Sequence, residues 1–181
     1  MAFSKILVGV DGSAHNELVL NKAAAFAADI ANENAAQVVL VYAISPHALS
    51  EQELAYAQER CGEEFSRRLE GSGLPPFPID ENDEQRSVYQ YIEARKAFNQ
   101  VYAEDVLKRA KSRLQEHGIE DIKSVIENNR PANAILDVAK QEDVDLIIIG
   151  RRGHSRVVEF FLGSTAQKVL QQTNWPVLVV E

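Results

Sequence analysis

Five short runs of the chain are almost continuously apolar and rich in β-branched residues: KILVGV at Lys5–Val10, QVVLVYAI at 37–44, IKSVIE at Ile122–Glu127, DLIIIG ending at Gly150, and WPVLVV at 175–180. Unbroken apolar runs of this length mark strands buried on both faces, the signature of a parallel sheet. The segments between them step at helical spacing. Leu20, Ala24, Ala27 and Ile30 share one stripe of an Ala-rich helix over about 14–32, with Ser13 as its cap. Phe98, Tyr102, Val106, Ala110 and Leu114 line a long helix from about 86 to 117, and Gly118 stands at its C′ position. Pro131 opens a third helix whose inner face carries Ile135, Val138 and Ala139, and Ala166, Val169 and Leu170 form the apolar face of a last one. The resulting order, β-α-β-α-β-α-β-α-β, predicts an α/β fold: a five-stranded parallel sheet with helices on both faces, a three-layer sandwich.

The middle of the chain interrupts this regularity. After the turn at Ser45-Pro46, residues 54–65 have helical character. GSGLPPFPIDENDEQ at 71–85 cannot continue a helix through its glycines and prolines, and reads as a loop or an extended excursion. We therefore expect one domain over 1–181, with an extended insertion at about 45–100 whose flexible part is about 71–85. The insertion is either a surface loop or a lid or docking arm, and Tyr89, Tyr91, Phe98 and Tyr102 read as core packing rather than a ligand cage.

Composition narrows the functional classes. With 181 residues, 45% of them hydrophobic, the chain can bury a sizeable core. A net charge of -8 argues against nucleic acid or an anionic membrane as the main partner, while leaving room for a local basic pocket. Cys61 is the only cysteine, which excludes an intrachain disulfide, a cysteine zinc cluster and a Cys-X-X-Cys redox pair. The first apolar run is too short for a signal or a membrane span and is followed at once by Asp11, so a cytoplasmic protein without membrane insertion is expected.

The run GRRGHSRVVEFFLGST, 150–165, carries the chemistry. Gly150 leaves the fourth strand at a carboxyl end, where ligands bind in open α/β sheets. Nine residues separate Gly153 from Gly163, and Gly163-Ser164-Thr165 begins a helix whose free amides and dipole attract anions. Arg151, Arg152, His154 and Arg156 crowd the same loop. Taken singly, Gly150 and Gly163 read as turn glycines with positive φ, Ser164 as an N-cap and the arginines as a solvated face; in combination they predict a phosphate site. Asp11-Gly12-Ser13, Asn128 to Pro131 and the Gly150 loop all fall on the same sheet edge. If the first and fourth strands are neighbours, Asp11 and Gly150 face each other across a crevice that a nucleotide could fill.

These residues resemble the universal stress protein family, in particular its ATP-binding branch. The resemblance rests on KILVGVDGS at the first strand, VVLVYAISP at the second, and the closing DLIIIGRRGHSRVVEFFLGSTAQKVLQQTNWPVLVV. The family motif G-x2-G-x9-G-[ST] is matched by Gly150, Gly153, Gly163 and Ser164. The resemblance implies the adenine nucleotide α-hydrolase-like, Rossmann-like layout. It implies an adenine pocket at Asp11 and Ala43, and ribose and phosphate contacts at Gly150, Gly153, Gly163, Ser164 and Thr165, with Arg151, Arg152 and His154 in the same loop. It further implies ATP, or ADP or AMP, as ligand, with Mg held mainly by phosphates and water, a homodimer through the last strand at 176–180, and a stress-response or signalling role that admits an unidentified protein partner. In place of the glycine that the family commonly carries before the proline of the third helix stands Asn129, a residue tolerant of αL.

Two other classes stay open. One is a weak ATPase or another enzyme of the adenine nucleotide α-hydrolase type; against it, VDGSAHN lacks the SGGxDS-like loop of the adenylating members, and no Walker lysine, motif-placed general base or metal cluster is present. The other is a nucleotide-independent dimeric interaction protein, which the intact glycine motif disfavours. A non-enzymatic binding protein is the expectation.

Overall fold

The computed structural model describes residues 3–13, 15–30, 36–44, 84–151 and 162–181; of residues 29, 30, 84–95, 97 and 98 only the backbone is described. The elements are β1 (Lys5–Val10), α1 (Asn16–Ile30), β2 (Gln37–Ala43), α2 (Glu84–Glu116), β3 (Ile122–Glu127), α3 (Pro131–Glu142), β4 (Leu146–Gly150), α4 (Ser164–Gln172) and β5 (Val177–Val180). The helix expected at 54–65 and most of the excursion expected at 71–85 lie outside the described residues; the last two residues of that excursion, Glu84 and Gln85, instead open α2. The chain divides into two compact units, one of residues 1–46 and 106–181 and one of residues 47–105. The sheet belongs to the first.

All five strands are parallel, in the order β3-β2-β1-β4-β5. The winding runs outward from β1 to β3, then crosses back to β4 and on to β5. Right-handed crossovers therefore place α1 and the end of α2 over one face and α3 and α4 over the other. Alternation along the strands follows this division. Leu7, Val39, Val41, Ile147 and Ile149 pack with Ala132, Ile135, Val138 and Ala139 of α3 and Ala166 and Val169 of α4. Ile6, Val8, Val38, Leu40 and Ile148 are fully buried on the opposite face, each contributing about 1.5–3 kcal/mol relative to an exposed side chain.

The helix ends are set by local chemistry. Gly118 has φ +82°, its amide donates to the Gln115 carbonyl at 2.9 Å, and Ile119 N–H donates to the Leu114 carbonyl at 3.1 Å. This is a Schellman closure with Gly118 at C′, and the buried Leu114 and Ile119 supply its apolar contact. Tyr102, Val106, Ala110 and Leu114 are buried at the expected spacing; the side chain of Phe98, like those of Tyr89 and Tyr91, is outside the described set. Pro131 occupies the first turn of α3.

Three local expectations are corrected. First, α1 begins at Asn16, so Ser13 does not cap it, and the Ser13 hydroxyl has no hydrogen-bond partner. Second, Asn129 does not adopt αL; among the described non-glycine residues only Asp143 has positive φ. The Asn129 side chain organises the turn instead, accepting from Arg130 N–H at 2.8 Å and donating to Asp137 at 3.1 Å. Third, Leu170 is 44% exposed, because it lies a full 100° step past Val169 at the margin of the narrow buried stripe.

At their amino ends β1 and β4 are tied by one carboxylate. Asp145 Oδ2 accepts from Ser4 N–H and Ser4 Oγ–H, both at 2.7 Å, and from Lys5 N–H at 2.9 Å, while Asp145 N–H donates to the Lys5 carbonyl at 2.8 Å. The bond from the Ser4 hydroxyl, followed by the two amides and the Lys5 charge, holds this carboxyl below its ordinary value of 3.8, against a smaller opposing cost of desolvation. A carboxyl lowered in the folded state contributes stability that is present above pH 3.8 and is lost as pH falls through the lowered folded value. Urea unfolding of the wild type and of Asp145→Asn should therefore show a stability gap at pH 7 that narrows below pH 3.8. A gap independent of pH contradicts the clamp.

Candidate functional site

β1 and β2 stay in register from Lys5↔Gln37 to Val10↔Tyr42, and β4 and β5 pair through Gly150↔Val180. Between β1 and β4 the ladder ends at Val8↔Ile148. Beyond that pair the strands belong to segments that turn opposite ways, β1 into α1 on one face and β4 toward α4 on the other. The carboxyl ends therefore splay at the topological switch point, the place where open α/β sheets bind ligands. A cavity of about 320 Å³ occupies the gap.

Asp11, Ala43, Gly150, Arg151, Gly163, Ser164 and Thr165 all line this one cavity. Arg152, Gly153 and His154, with Arg156, lie outside the described residues. Asp11 ends β1 and starts a tight turn: its carboxylate Oδ1 accepts from Ser13 N–H at 2.9 Å, its own N–H donates to Asn16 Oδ1 at 3.3 Å, and Gly12 between them has φ +78°. Ala43 closes β2 opposite Glu127, and the next amide, that of Ile44, donates to the Glu127 carbonyl at 2.8 Å.

The β4 side is built from backbone. Gly163 N–H donates to the Arg151 carbonyl at 2.8 Å, which brings the start of α4 against the end of β4. Gly163 is the N-cap of α4 with φ −62° and ψ 150°, and no side chain caps this helix. The first amides of a helix have no intrahelical acceptor. With the Gly163 amide taken by Arg151, the donors presented at the helix start are those of Ser164, Thr165 and Ala166, and all three residues line the cavity. Ser164 is the first helical residue rather than a cap. Neither Gly150 nor Gly163 has positive φ, so backbone conformation does not account for these glycines.

The Arg151 guanidinium pairs with the Glu181 carboxylate, and its amide donates to the Val180 carbonyl at 2.6 Å. Its charge is therefore partly engaged at the cavity mouth. Among the described residues no group of three or more His, Cys, Asp or Glu could hold a metal ion, and no helix is long and apolar enough to cross a membrane.

Several lining residues were not identified from sequence. Ser13 and His15 of the β1–α1 loop and Asn16 at the start of α1 form a polar wall, while Ile135 and Ile149 form an apolar one. Helical periodicity cannot mark where a helix starts, which hid the first group; the signal available was Asn16 placed five residues after Asp11, within reach of its amide. Pro131 joins the same rim, so the starts of α1, α3 and α4 border one cavity. This convergence of positive dipole ends favours an anion.

The fold and this cavity define an open, doubly wound α/β domain with a ligand-sized site at its switch point. A family model described as the universal stress protein family matches residues 2–181, and the chain belongs to that family. It is similar to universal stress protein MJ0577 of Methanocaldococcus jannaschii, 27% identical over 179 residues that cover 99% of this chain and 95% of that protein. The solved structure of MJ0577 superposes with a TM-score of 0.60 at 25% identity, covering 99% of this chain and 96% of that one. Universal stress protein YxiE of Bacillus subtilis is 40% identical over 75 residues, 41% of this chain and 50% of that protein. A universal stress protein solved in complex with cAMP shares the fold, with a TM-score of 0.61 at 19% identity over 100% of this chain and 98% of that one.

Gly9 sets how closely the cavity floor packs. A Cβ there would lie 3.1 Å from Ile149 Cγ2 and 3.2 Å from Ile135 Cδ1. Gly9→Val should destabilise the domain by about 1–3 kcal/mol through overpacking, read from the midpoint of urea unfolding. An unchanged midpoint contradicts the tight floor.

Proposed function

We propose that the protein binds an adenine nucleotide, ATP or its relatives ADP and AMP, in the switch-point cavity, and acts as a nucleotide-dependent stress-response or signalling module. The observation that carries this reading is the uncapped start of α4, whose Ser164, Thr165 and Ala166 amides border the same cavity as Asp11 and Ala43. Asp11 and Ala43 flank the base. Gly150, Gly163, Ser164 and Thr165 surround the sugar and phosphates, together with Arg151 and with Arg152, Gly153 and His154 of the following loop. A relative that shares the fold in complex with cAMP supports the adenine preference.

The residues fit the polyphosphate of such a ligand. Main-chain donors at a helix start suit an anion that accepts several hydrogen bonds, and glycine keeps the approach clear. Mg, when bound, would be held mainly by the phosphates and water, with Asp11 as the carboxylate available at the cavity wall. We favour binding over turnover, since one oxygen of Asp11 is already engaged by the Ser13 amide. The protein acts in the cytoplasm as a homodimer joined along the β5 edge, with ligand occupancy altering loop order and dimer contacts, and so its engagement of a protein partner.

Heat extraction of the purified protein followed by mass analysis should release an adenine nucleotide, and calorimetry should give saturable ATP binding, strengthened by Mg. Gly153→Val should weaken ATP binding by at least about tenfold, the equivalent of about 1.4 kcal/mol, while the circular dichroism spectrum stays unchanged. Equal affinity in a folded variant would move the site elsewhere. Turnover that disappears in Asp11→Asn would replace this reading with the weak ATPase.

A further inference from the structure

The β1–α1 loop holds a hydroxyl with nothing to do in the protein alone. Ser13 Oγ is shielded from solvent and has no hydrogen-bond partner, and Ser13 lines the switch-point cavity. Asn99 and Arg113 also carry buried atoms without a partner, but neither residue lines this cavity. Leaving a buried hydroxyl unsatisfied is costly, so its retention calls for a physical reason.

The loop does not use the hydroxyl as a cap. The Ser13 amide is spent on Asp11 Oδ1, the Ser13 carbonyl accepts from Asn16 N–H at 3.0 Å, and Asn16 Oδ1 takes the Asp11 amide. The main chain of Ser13 is thus pinned from both sides by the turn, while its side chain, free to rotate about one bond, stays unengaged at the cavity wall. Rotation about that one bond would turn the hydroxyl toward a ligand in the cavity, at a small cost in conformational entropy.

We infer that Ser13 is a binding residue of this cavity: its hydroxyl donates a hydrogen bond to an oxygen of the sugar–phosphate part of the bound nucleotide, opposite the amides at the start of α4. This rests on the nucleotide-binding reading above and adds a contact from the β1–α1 loop that lies outside the glycine motif. Phosphate and ribose oxygens share the required acceptor chemistry.

The test is calorimetry of the full chain with ATP and with adenosine, on the wild type, Ser13→Ala and Ser13→Thr, with thermal unfolding of each ligand-free protein. Ser13→Ala should raise the ATP Kd by about tenfold while the ligand-free Tm is unchanged or higher, since an unsatisfied group has been removed. Ser13→Thr, which keeps the hydroxyl, should recover most of the affinity. A loss confined to ATP places the acceptor on phosphate; an equal loss with adenosine places it on the sugar. Unchanged ATP affinity in Ser13→Ala overturns the inference while the wild type's binding stands. A lowered ligand-free Tm assigns the hydroxyl a structural role and overturns it too. A wild type that binds no adenine nucleotide overturns both this contact and the function proposed above.

Discussion

Everything in this domain depends on two parallel strands that are neighbours but not continuous partners. β1 and β4 are clamped at their amino ends by the Asp145 carboxylate and separate after Val8 and Ile148. The separation follows from winding direction. One strand feeds a helix on one face and the other a helix on the opposite face, so no connection can seal the gap. A closed ladder through Gly9, Val10, Ile149 and Gly150 would leave no cavity between Asp11 and the start of α4.

Electrostatics then gives the gap a sign that the whole chain does not have. The protein carries a net charge of -8, yet the residues bordering the cavity include the starts of three helices and the Arg151 guanidinium. Exposed charges are screened beyond about 8–10 Å at physiological salt, whereas amides at the cavity wall act at hydrogen-bond distance. A small anion can therefore be held locally by a protein that repels polyanions at long range. The pairing of Arg151 with Glu181 leaves the main chain of α4 as the principal donor set.

The fold was legible because its strands are buried on both faces and so are spelled as unbroken apolar runs, from KILVGV to PVLVV. The Schellman glycine at 118 and the proline at 131 were legible for a similar reason, since each residue type suits few backbone positions. Side-chain hydrogen bonds were not. Ser13 reads as a cap by residue type, but Asp11 and Asn16 take over the turn and displace the helix start to Asn16. Asn129 reads as an αL residue, but its amide group bonds to Arg130 and Asp137 and leaves the backbone in ordinary conformations. Leu170 counts as apolar in the pattern although the stripe that packs on the sheet is narrower than the pattern suggests. In the candidate site, Asp11, Ala43, Gly150, Arg151, Gly163, Ser164 and Thr165 were expected from sequence and line one cavity, while Ser13, His15 and Asn16 depend on where the helix begins.

In the function proposed here, main-chain nitrogens at the start of α4 hold the anionic part of an adenine nucleotide. The most direct measurement is a titration of isotopically labelled protein with ATP, followed through its backbone amide resonances. Saturable shifts that are largest at Ser164, Thr165 and Ala166, and reduced when adenosine replaces ATP, are the result expected. Saturable shifts centred elsewhere, with these amides unmoved, would place the nucleotide away from α4.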